Sequence, residues 1–213
     1  MRHNLIIFEG PDQSGKSTLI SELSRSVEVT VVFHYHGRPH IGTVERWHAG
    51  ALRFASKRLS ASNPYQRPVA LLDRHWPSEM IYGTVMREGA GYDVEKMALA
   101  AAVLNPLYVW CSPQPFKCSN AWAESRVGRL EYVERWSDML EIESMYSLFY
   151  HGLPSAKGKK SWPPIFREIA ESCGLKSNVN FKCILYDRFE MTPAQGVEII
   201  LEALLREGEL LHE

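Results

Sequence analysis

An eight-residue segment near the N-terminus has the composition and spacing of a phosphate-binding loop. Residues 10–17 read GPDQSGKS, which fits the pattern G-x-x-x-x-G-K-[ST], and a threonine follows. Glycines let backbone N–H groups turn inward around phosphate oxygens, and the N-terminus of a following helix adds partial positive charge there. The alternative is a glycine-rich turn that binds nothing. The residues assigned to phosphate binding are Gly10, Asp12, Gln13, Ser14, Gly15, Lys16, Ser17 and Thr18.

Two side chains of this loop can do further chemistry. Lys16 can reach the terminal phosphates of a nucleoside triphosphate, and the Ser17 hydroxyl can complete the shell of a Mg²⁺ ion. A strand-like run before the loop and a helical pattern after it supply the context that the motif requires. The segment therefore predicts a nucleoside triphosphate site without specifying a reaction. The sequence contains no NKxD guanine motif, which argues against a switch GTPase.

A second candidate pair, Asp73 and Arg74, stands directly after a short apolar run further along the chain. In a parallel sheet the carboxyl ends of the strands open onto the same crevice, so the pair is expected near the bound phosphates. The alternative is an ion pair that merely closes the end of a strand.

Apolar runs alternate with helical patterns along the chain. The predicted strands are residues 4–9, 27–33, 69–72, 107–111 and 181–186. The predicted helices are residues 16–25, 44–59, 80–85, 94–104, 121–129, 132–150, 165–173 and 192–206. This rhythm predicts a three-layer α/β fold with a five-stranded parallel sheet and helices on both faces.

Composition restricts the class of protein. The chain has 213 residues, of which 45% are hydrophobic, and its 24 basic and 25 acidic side chains leave a net charge of −1. That length suits one α/β domain, and the charge gives no overall attraction to nucleic acid. No apolar stretch is long enough for a membrane helix, and the N-terminus lacks a cleavable signal. Four cysteines without CxxC spacing predict reduced thiols in a cytoplasmic protein.

Several segments resemble the thymidylate kinase and deoxynucleoside kinase branch of the P-loop kinases. Residues 8–18 match the pattern FEGxDxxGKST, and residues 71–75, LLDRH, look like the strand-DR-aromatic segment of that family. Residues 107–112 look like the strand before a lid, and residues 186–187 and 192 onward look like the closing strand and helix. The resemblance implies a P-loop NTPase fold with a helical lid at about 113–135. It also implies one kinase domain over 1–213, with ATP and Mg²⁺ as cofactors.

The resemblance also implies catalytic roles. Lys16 would neutralise phosphate charge, and Ser17 and Asp73 would hold Mg²⁺, with Asp73 binding through water or orienting the attacking oxygen. Arg74 would hold the acceptor or the moving phosphoryl group. Gln13 stands where some family members place a catalytic arginine, so the cation must come from elsewhere. Candidates at the lid position are Arg126 and Arg129, for which a solvated helix face is the alternative.

The predicted acceptor-binding residues are Asp12, Arg38, Arg74, Ser78 and Tyr82. Asp12 matches a family carboxylate that contacts the acceptor sugar. Two departures from the family bear on this site: Gly83 stands where thymidylate kinases carry a base-reading glutamine, and residues 34–40, HYHGRPH, replace a REPGG-type turn. The histidines could bind a metal, but acceptor binding or packing is favoured. Trp76 is assigned either to the acceptor pocket or to the core.

Three functions remain open at this point. The first is transfer of the γ-phosphate of ATP to a small (deoxy)nucleotide, in a protein that is a monomer or a homodimer. The second is phosphorylation of a hydroxymethylated pyrimidine within DNA. Residues 34–75 carry seven basic side chains against two acidic ones, and two candidate DNA-binding clusters are Arg46, Arg53 and Lys57 on one helix face, and Lys157, Lys159 and Lys160 beside Trp162. The third is a non-catalytic nucleotide-binding module.

Overall fold

Five short strands form one parallel sheet. The computed structural model describes residues 4–34, 41–61, 68–87, 89–111, 116–125, 133, 135–152 and 183–209. The strands are β1 (Leu5–Glu9), β2 (Val29–His34), β3 (Val69–Asp73), β4 (Leu107–Trp110) and β5 (Cys183–Leu185). They lie in the order β2-β3-β1-β4-β5, and every neighbouring pair is parallel. The predicted five-stranded parallel sheet is confirmed. Because β1 is central, the phosphate-loop segment leaves the middle of the sheet.

Side chains of the central strand alternate between two cores, as the pleat requires. Ile6 and Phe8 pack in a core with residues of the first and last described helices, whereas Leu5 and Ile7 pack in the core on the opposite face. Both cores are built from apolar side chains, and every residue of β1, β3 and β4 is buried. The predicted three-layer arrangement is therefore confirmed.

Seven helices cover the sheet within the described ranges. They are α1 (Lys16–Ser26), α2 (Ile41–Ala61), α3 (Trp76–Arg87), α4 (Val94–Ala102), α5 (Lys117–Ser125), α6 (Trp136–Gly152) and α7 (Pro193–Glu209). The predicted cap of α7 is present: Thr192 Oγ1 accepts from Gln195 N at 3.3 Å, and the Gln195 side chain accepts from Thr192 N at 2.9 Å. None of the described helices has the length and apolarity to cross a membrane.

Four helices begin more than one residue away from the predicted start, and among them α5 begins at Lys117 instead of residue 121. α2 is longer at both ends, and α6 begins at Trp136 instead of residue 132. α3 begins at Trp76 instead of residue 80, because Pro77 is tolerated in a first turn and because Glu9, a residue of β1, bonds to the start of the helix. A cap that comes from another strand leaves no local sequence signal. The predicted helix 165–173 lies outside the described residues.

Candidate active site

The phosphate loop joins the carboxyl end of β1 to α1. Its first glycine, Gly10, has φ of 149°, and a Cβ there would lie 2.0 Å from the carbonyl oxygen of Cys111, so only glycine fits beside the end of β4. Lys16 is buried, and its Nζ donates to the carbonyls of Gly10 at 3.0 Å and Pro11 at 2.7 Å and to Ser14 Oγ at 3.1 Å. Burial lowers the pKa of Lys16. The ammonium is thus held at the centre of the loop.

The structure brings Ser17 to Asp73. Ser17 Oγ donates to Asp73 Oδ2 at 3.3 Å, and His34 Nδ1 lies 3.2 Å from the same oxygen. Asp73 Oδ1 is buried and has no hydrogen-bond partner among the described residues. An unsatisfied carboxylate oxygen beside a hydroxyl fits Mg²⁺, which takes few protein ligands and completes its shell with water and phosphate oxygens. Within the described ranges, no group of three or more His, Cys, Asp or Glu side chains is arranged for a metal.

Arg74 reaches back across the sheet edge to the phosphate loop. Its Nη1 donates to the Gly10 carbonyl at 2.8 Å, and its Nη2 donates to the Asp12 carboxylate. The backbone of Arg74 has φ of 73°, a left-handed conformation that is uncommon outside glycine. A strained residue at a strand end is typical of functional sites. The Asp73-Arg74 pair and the loop therefore form one site, with Asp73 beside Ser17 and Arg74 beside Asp12.

Ser78 and Tyr82, which were assigned to acceptor binding, both contact Arg74. Arg74 Nη1 donates to Ser78 Oγ at 3.2 Å, Nη2 donates to the Tyr82 hydroxyl at 3.0 Å, and the guanidinium lies 4.7 Å from the Tyr82 ring centroid. Both residues are buried. Their observed contacts hold the arginine, and neither residue lines the cavity described below.

Glu9 is a buried acid at the end of β1, and it was not among the predicted site residues. Its Oε1 accepts from the backbone N of His75 at 2.6 Å, and its Oε2 accepts from Ser78 Oγ at 2.5 Å and from the Tyr146 hydroxyl at 3.2 Å. Burial raises the pKa of Glu9 to about 7, although the Ser78 hydrogen bond and the charge of Arg74 oppose that shift. The available signal was an acidic residue that closes an otherwise apolar strand.

A cavity of about 280 Å³ opens beside Asp73 and Arg74, between α2 and the ends of β2 and β3. Phe33 and Leu72 give it apolar lining, and Trp47, which is 52% exposed, lines it from α2. These dimensions and this mixture of apolar and charged groups suit a small planar ligand. Helical spacing in α2 is compatible with an apolar stripe of Trp47, Ala51 and Phe54, but the stripe that enters the core is Val44, His48, Leu52 and Ala55.

Two histidines are in contact with each other beside this cavity, and one of them, His48, lines it. The ring centroids of His48 and His75 are 4.8 Å apart, and His48 Nδ1 lies 2.5 Å from the Tyr92 hydroxyl. Burial lowers the pKa of His75 to about 4 and holds that of His48 well below its usual range. Both rings are therefore neutral at neutral pH and add no charge to the site.

Gly83 has a physical reason to be glycine. A Cβ at this position of α3 would lie 2.7 Å from the Gly89 carbonyl oxygen and 2.8 Å from Ala90 Cα. The turn that occupies this space is held by Glu79, which accepts from Gly91 N at 2.6 Å and pairs with Arg87. A side chain at position 83 would thus meet this chain's own backbone.

The remaining predicted residues divide into those the structure places and those it does not describe. Arg38, Arg126, Arg129 and the cluster of Lys157, Lys159, Lys160 and Trp162 lie outside the described residues. Trp76 belongs to the core, where its Nε1 donates to the Tyr108 hydroxyl at 3.0 Å. Gln13 has φ of 62° in the loop, and Thr18 is exposed on α1. The described cysteines, Cys111, Cys118 and Cys183, are free thiols.

Comparison with known proteins finds similarity in structure alone. No protein-family model matches the sequence, and no curated protein matches it. The Bacillus subtilis protein YorR, solved in complex with phosphorylated GDP, has a TM-score of 0.55 at 17% identity, covering 96% of this chain and 98% of its own. Deoxyadenosine kinase from M. mycoides, solved with dCMP and dCDP bound, has a TM-score of 0.52 at 16% identity, covering 95% and 98%. At these identities the likeness extends to the fold, which is the α/β fold of the P-loop kinases.

Proposed function

We propose that this protein is an ATP-dependent phosphotransferase that moves the γ-phosphate of ATP to a (deoxy)nucleotide. The observation that carries the proposal is the contact of Arg74 with both Gly10 and Asp12, which joins the Asp-Arg pair to the phosphate loop. Phosphoryl transfer depends mainly on positioning and on cations that neutralise the transferred group. A buried lysine and a partly buried arginine that converge on one loop meet that requirement.

On the donor side, the loop amides and Lys16 would bind the β- and γ-phosphates. Ser17 and Asp73 would hold Mg²⁺, whose chemistry when bound is neutralisation of phosphate charge. The fit of this pair rests on the buried, unsatisfied Oδ1 of Asp73. Asp73 would also orient the attacking oxygen, and Arg74 would stabilise the moving phosphoryl group. Gln13, Ser14, Gly15 and Thr18 complete the proposed phosphate cradle.

On the acceptor side, we place the nucleotide in the 280 Å³ cavity, where Trp47 would stack on the base. Asp12 and Arg74 would face the acceptor sugar and phosphate, and Arg38 is proposed as a further contact. The ligands of the two similar structures, phosphorylated GDP and dCMP with dCDP, support a nucleotide acceptor. The backbone beside Gly83 argues against thymine recognition through a side chain at that position.

We further propose that residues 1–213 form one kinase domain, located in the cytoplasm, with a lid at about 113–135. Since Gln13 is not a cation, Arg126 or Arg129 would supply positive charge from the lid. The roles of Arg126 and Arg129 are proposed from sequence alone.

A second candidate, a kinase for a hydroxyl of a modified pyrimidine in DNA, is favoured by α2. Arg46, Arg53 and Lys57 are exposed there and have no ion-pair partner in the described part of the chain. Arg46 lines the acceptor cavity, while Arg53 and Lys57 line a groove of about 620 Å³ between α2 and α4. Such a face could follow a phosphodiester backbone.

The test offers γ-labelled ATP with Mg²⁺ to the full chain, together with nucleosides, deoxynucleoside monophosphates and hydroxymethyluracil-containing DNA. We expect label in a nucleoside diphosphate. Label in the DNA alone, weakened by salt and by the triple variant Arg46→Ala/Arg53→Ala/Lys57→Ala, would replace the first candidate with the second. Label in no acceptor would refute both.

A further inference from the structure

The polar contacts behind Arg74 converge on one buried carboxylate. Ser78 Oγ and the Tyr146 hydroxyl lie 2.6 Å apart, and each also lies within hydrogen-bond distance of Glu9 Oε2. Arg74 Nη1 donates to the same two hydroxyls, at 3.2 Å to Ser78 and 3.3 Å to Tyr146. Glu9, Ser78 and Tyr146 come from β1, α3 and α6, so the network joins three elements.

The direction of these hydrogen bonds gives Glu9 a role. A carboxylate only accepts, so it draws the Ser78 hydroxyl hydrogen toward itself, and the Tyr146 hydroxyl donates either to Glu9 or to Ser78 Oγ. Their oxygen lone pairs are then available to the Arg74 guanidinium, which only donates. Tyr82 and Asp12 accept from the other nitrogen of Arg74 and do not depend on Glu9. One half of the guanidinium is therefore oriented through Glu9.

We propose that Glu9 is a positioning residue for the transfer step, acting on Arg74 through Ser78 and Tyr146. The inference rests on the proposed function, in which Arg74 contacts the moving phosphoryl group. Glu9 itself is completely buried and lines neither cavity described above, so it does not touch a ligand there. Its effect is to hold the cation in one orientation before the substrates bind, which is the preorganisation that electrostatic catalysis needs.

The isosteric variant Glu9→Gln separates hydrogen-bond direction from packing. If its amide oxygen accepts from His75 N, its NH₂ group faces Ser78 and Tyr146 and competes with Arg74 for their lone pairs. If the amide is reversed, two donors meet at the 2.6 Å contact with His75 N. Either orientation leaves a donor without an acceptor, while the volume of the side chain is unchanged.

The experiment measures kcat and KM at pH 8, above the Glu9 pKa of about 7, for the full chain. We expect Glu9→Gln to lower kcat by about 10- to 100-fold with KM for ATP within about twofold, because an interaction of the transition state is weakened and the phosphate loop is intact. The control is Glu22→Gln on α1, the same chemical change at an exposed carboxylate, which should have no effect. Wild-type kcat in Glu9→Gln would overturn the inference.

A double-variant cycle tests the route through the hydroxyls. If Glu9 acts through Tyr146, Glu9→Gln combined with Tyr146→Phe should lose less activity than the product of the two single losses. Independent, multiplying losses would overturn the route. If Glu9→Gln does not fold, Tyr146→Phe alone decides: a fall in kcat of about threefold or more at unchanged KM for ATP supports the inference, and wild-type kcat overturns it.

An activity-independent measurement distinguishes failure of this inference from failure of the proposed function. In protein labelled with ¹⁵N-arginine, the Arg74 side-chain Nε–H signal is identified by its loss in Arg74→Lys. We expect faster solvent exchange of that signal in Glu9→Gln than in wild type or Glu22→Gln. An unchanged exchange rate would overturn the inference, whereas a wild-type protein without kinase activity would overturn the proposed function.

Discussion

Charged side chains are buried and hydrogen-bonded around the phosphate loop, whereas they are exposed on the solvent face of α2. Around the loop, Glu9 and Lys16 are buried and bonded to neighbouring groups. Along α2, Trp47 and Phe54 are 52% and 40% exposed, and Arg53 is exposed without an ion-pair partner among the described residues. The first region is organised by the fold before any ligand arrives. The second is not held by the fold in this way, so under the proposed function it is the place where acceptor selectivity can vary without disturbing the transfer step.

The largest expected effect comes from removing the buried cation of the loop. Lys16→Ala should lower kcat by about 10³-fold or more, because it removes charge stabilisation of the transferred phosphoryl group. The circular dichroism spectrum should match wild type, since the apolar cores are untouched. The control Lys96→Ala removes an exposed lysine of α4 and should leave kcat unchanged. Substantial turnover by Lys16→Ala would show that the loop is not the reacting centre.

Burial of Glu9 should make stability depend on pH. The pKa of Glu9 is raised from 4.5 to about 7, so its contribution to the free energy of unfolding is present below pH 4.5 and is lost as pH rises toward 7. That loss amounts to about 3 kcal/mol at 1.4 kcal/mol per pKa unit. Burial of His48 and His75 acts with the opposite sign over much of the same range.

Urea unfolding at pH 5 and pH 7.5 measures the contribution of Glu9 to the free energy of unfolding, as a difference between wild type and Glu9→Gln. The variant should gain stability relative to wild type as pH rises. Parallel pH profiles would mean that the Glu9 carboxylate is solvated, and the contrast between the two regions would disappear.

Gly83 on α3 and Gly50 on α2 allow a matched test of packing around a helical glycine. Gly83→Ala should lower the free energy of unfolding by about 1–3 kcal/mol, because the new Cβ would lie 2.7 Å from the Gly89 oxygen. Gly50→Ala on α2 meets nothing within 4 Å and should raise stability by up to about 1 kcal/mol through helix propensity. Thermal unfolding of both variants measures these changes. Two shifts of the melting temperature with the same sign would contradict the packing described at Gly83.

The smallest effect tests the exposed region. Trp47→Ala should raise KM for the acceptor by about tenfold with kcat little changed, because it removes a stacking surface worth about 1 kcal/mol and no reacting group. Phe54→Ala is the control, since Phe54 packs edge-on against Phe33 and does not line the cavity. Equal KM values for the two variants would place the acceptor elsewhere.

The loop and the sheet could be predicted because their determinants are local. Gly10, Gly15, Lys16 and Ser17 stand within eight consecutive residues, and each central strand contains a run of four apolar residues and is buried along its whole length. No tertiary information is needed to recognise either pattern.

The residues that position Arg74 could not be predicted in the same way. Glu9, Ser78 and Tyr146 are far apart in sequence, and a tyrosine in an apolar helix gives no indication of which hydroxyl it will meet. The exposure of Trp47 and Phe54 could not be predicted either. Helical spacing gives two candidate apolar stripes on α2, and only packing decides which of them is buried. Residues were recognised, but their partners were not.

The contact between Gly83 and the turn at Gly89 and Ala90 limits which side chains position 83 can carry. Introducing a longer side chain at position 83 would require the whole turn to move, together with its anchors Glu79 and Arg87. A longer side chain in that space would thus need insertion, deletion or rerouting of the turn, and a laboratory evolution library confined to point substitutions at position 83 would return only destabilised proteins.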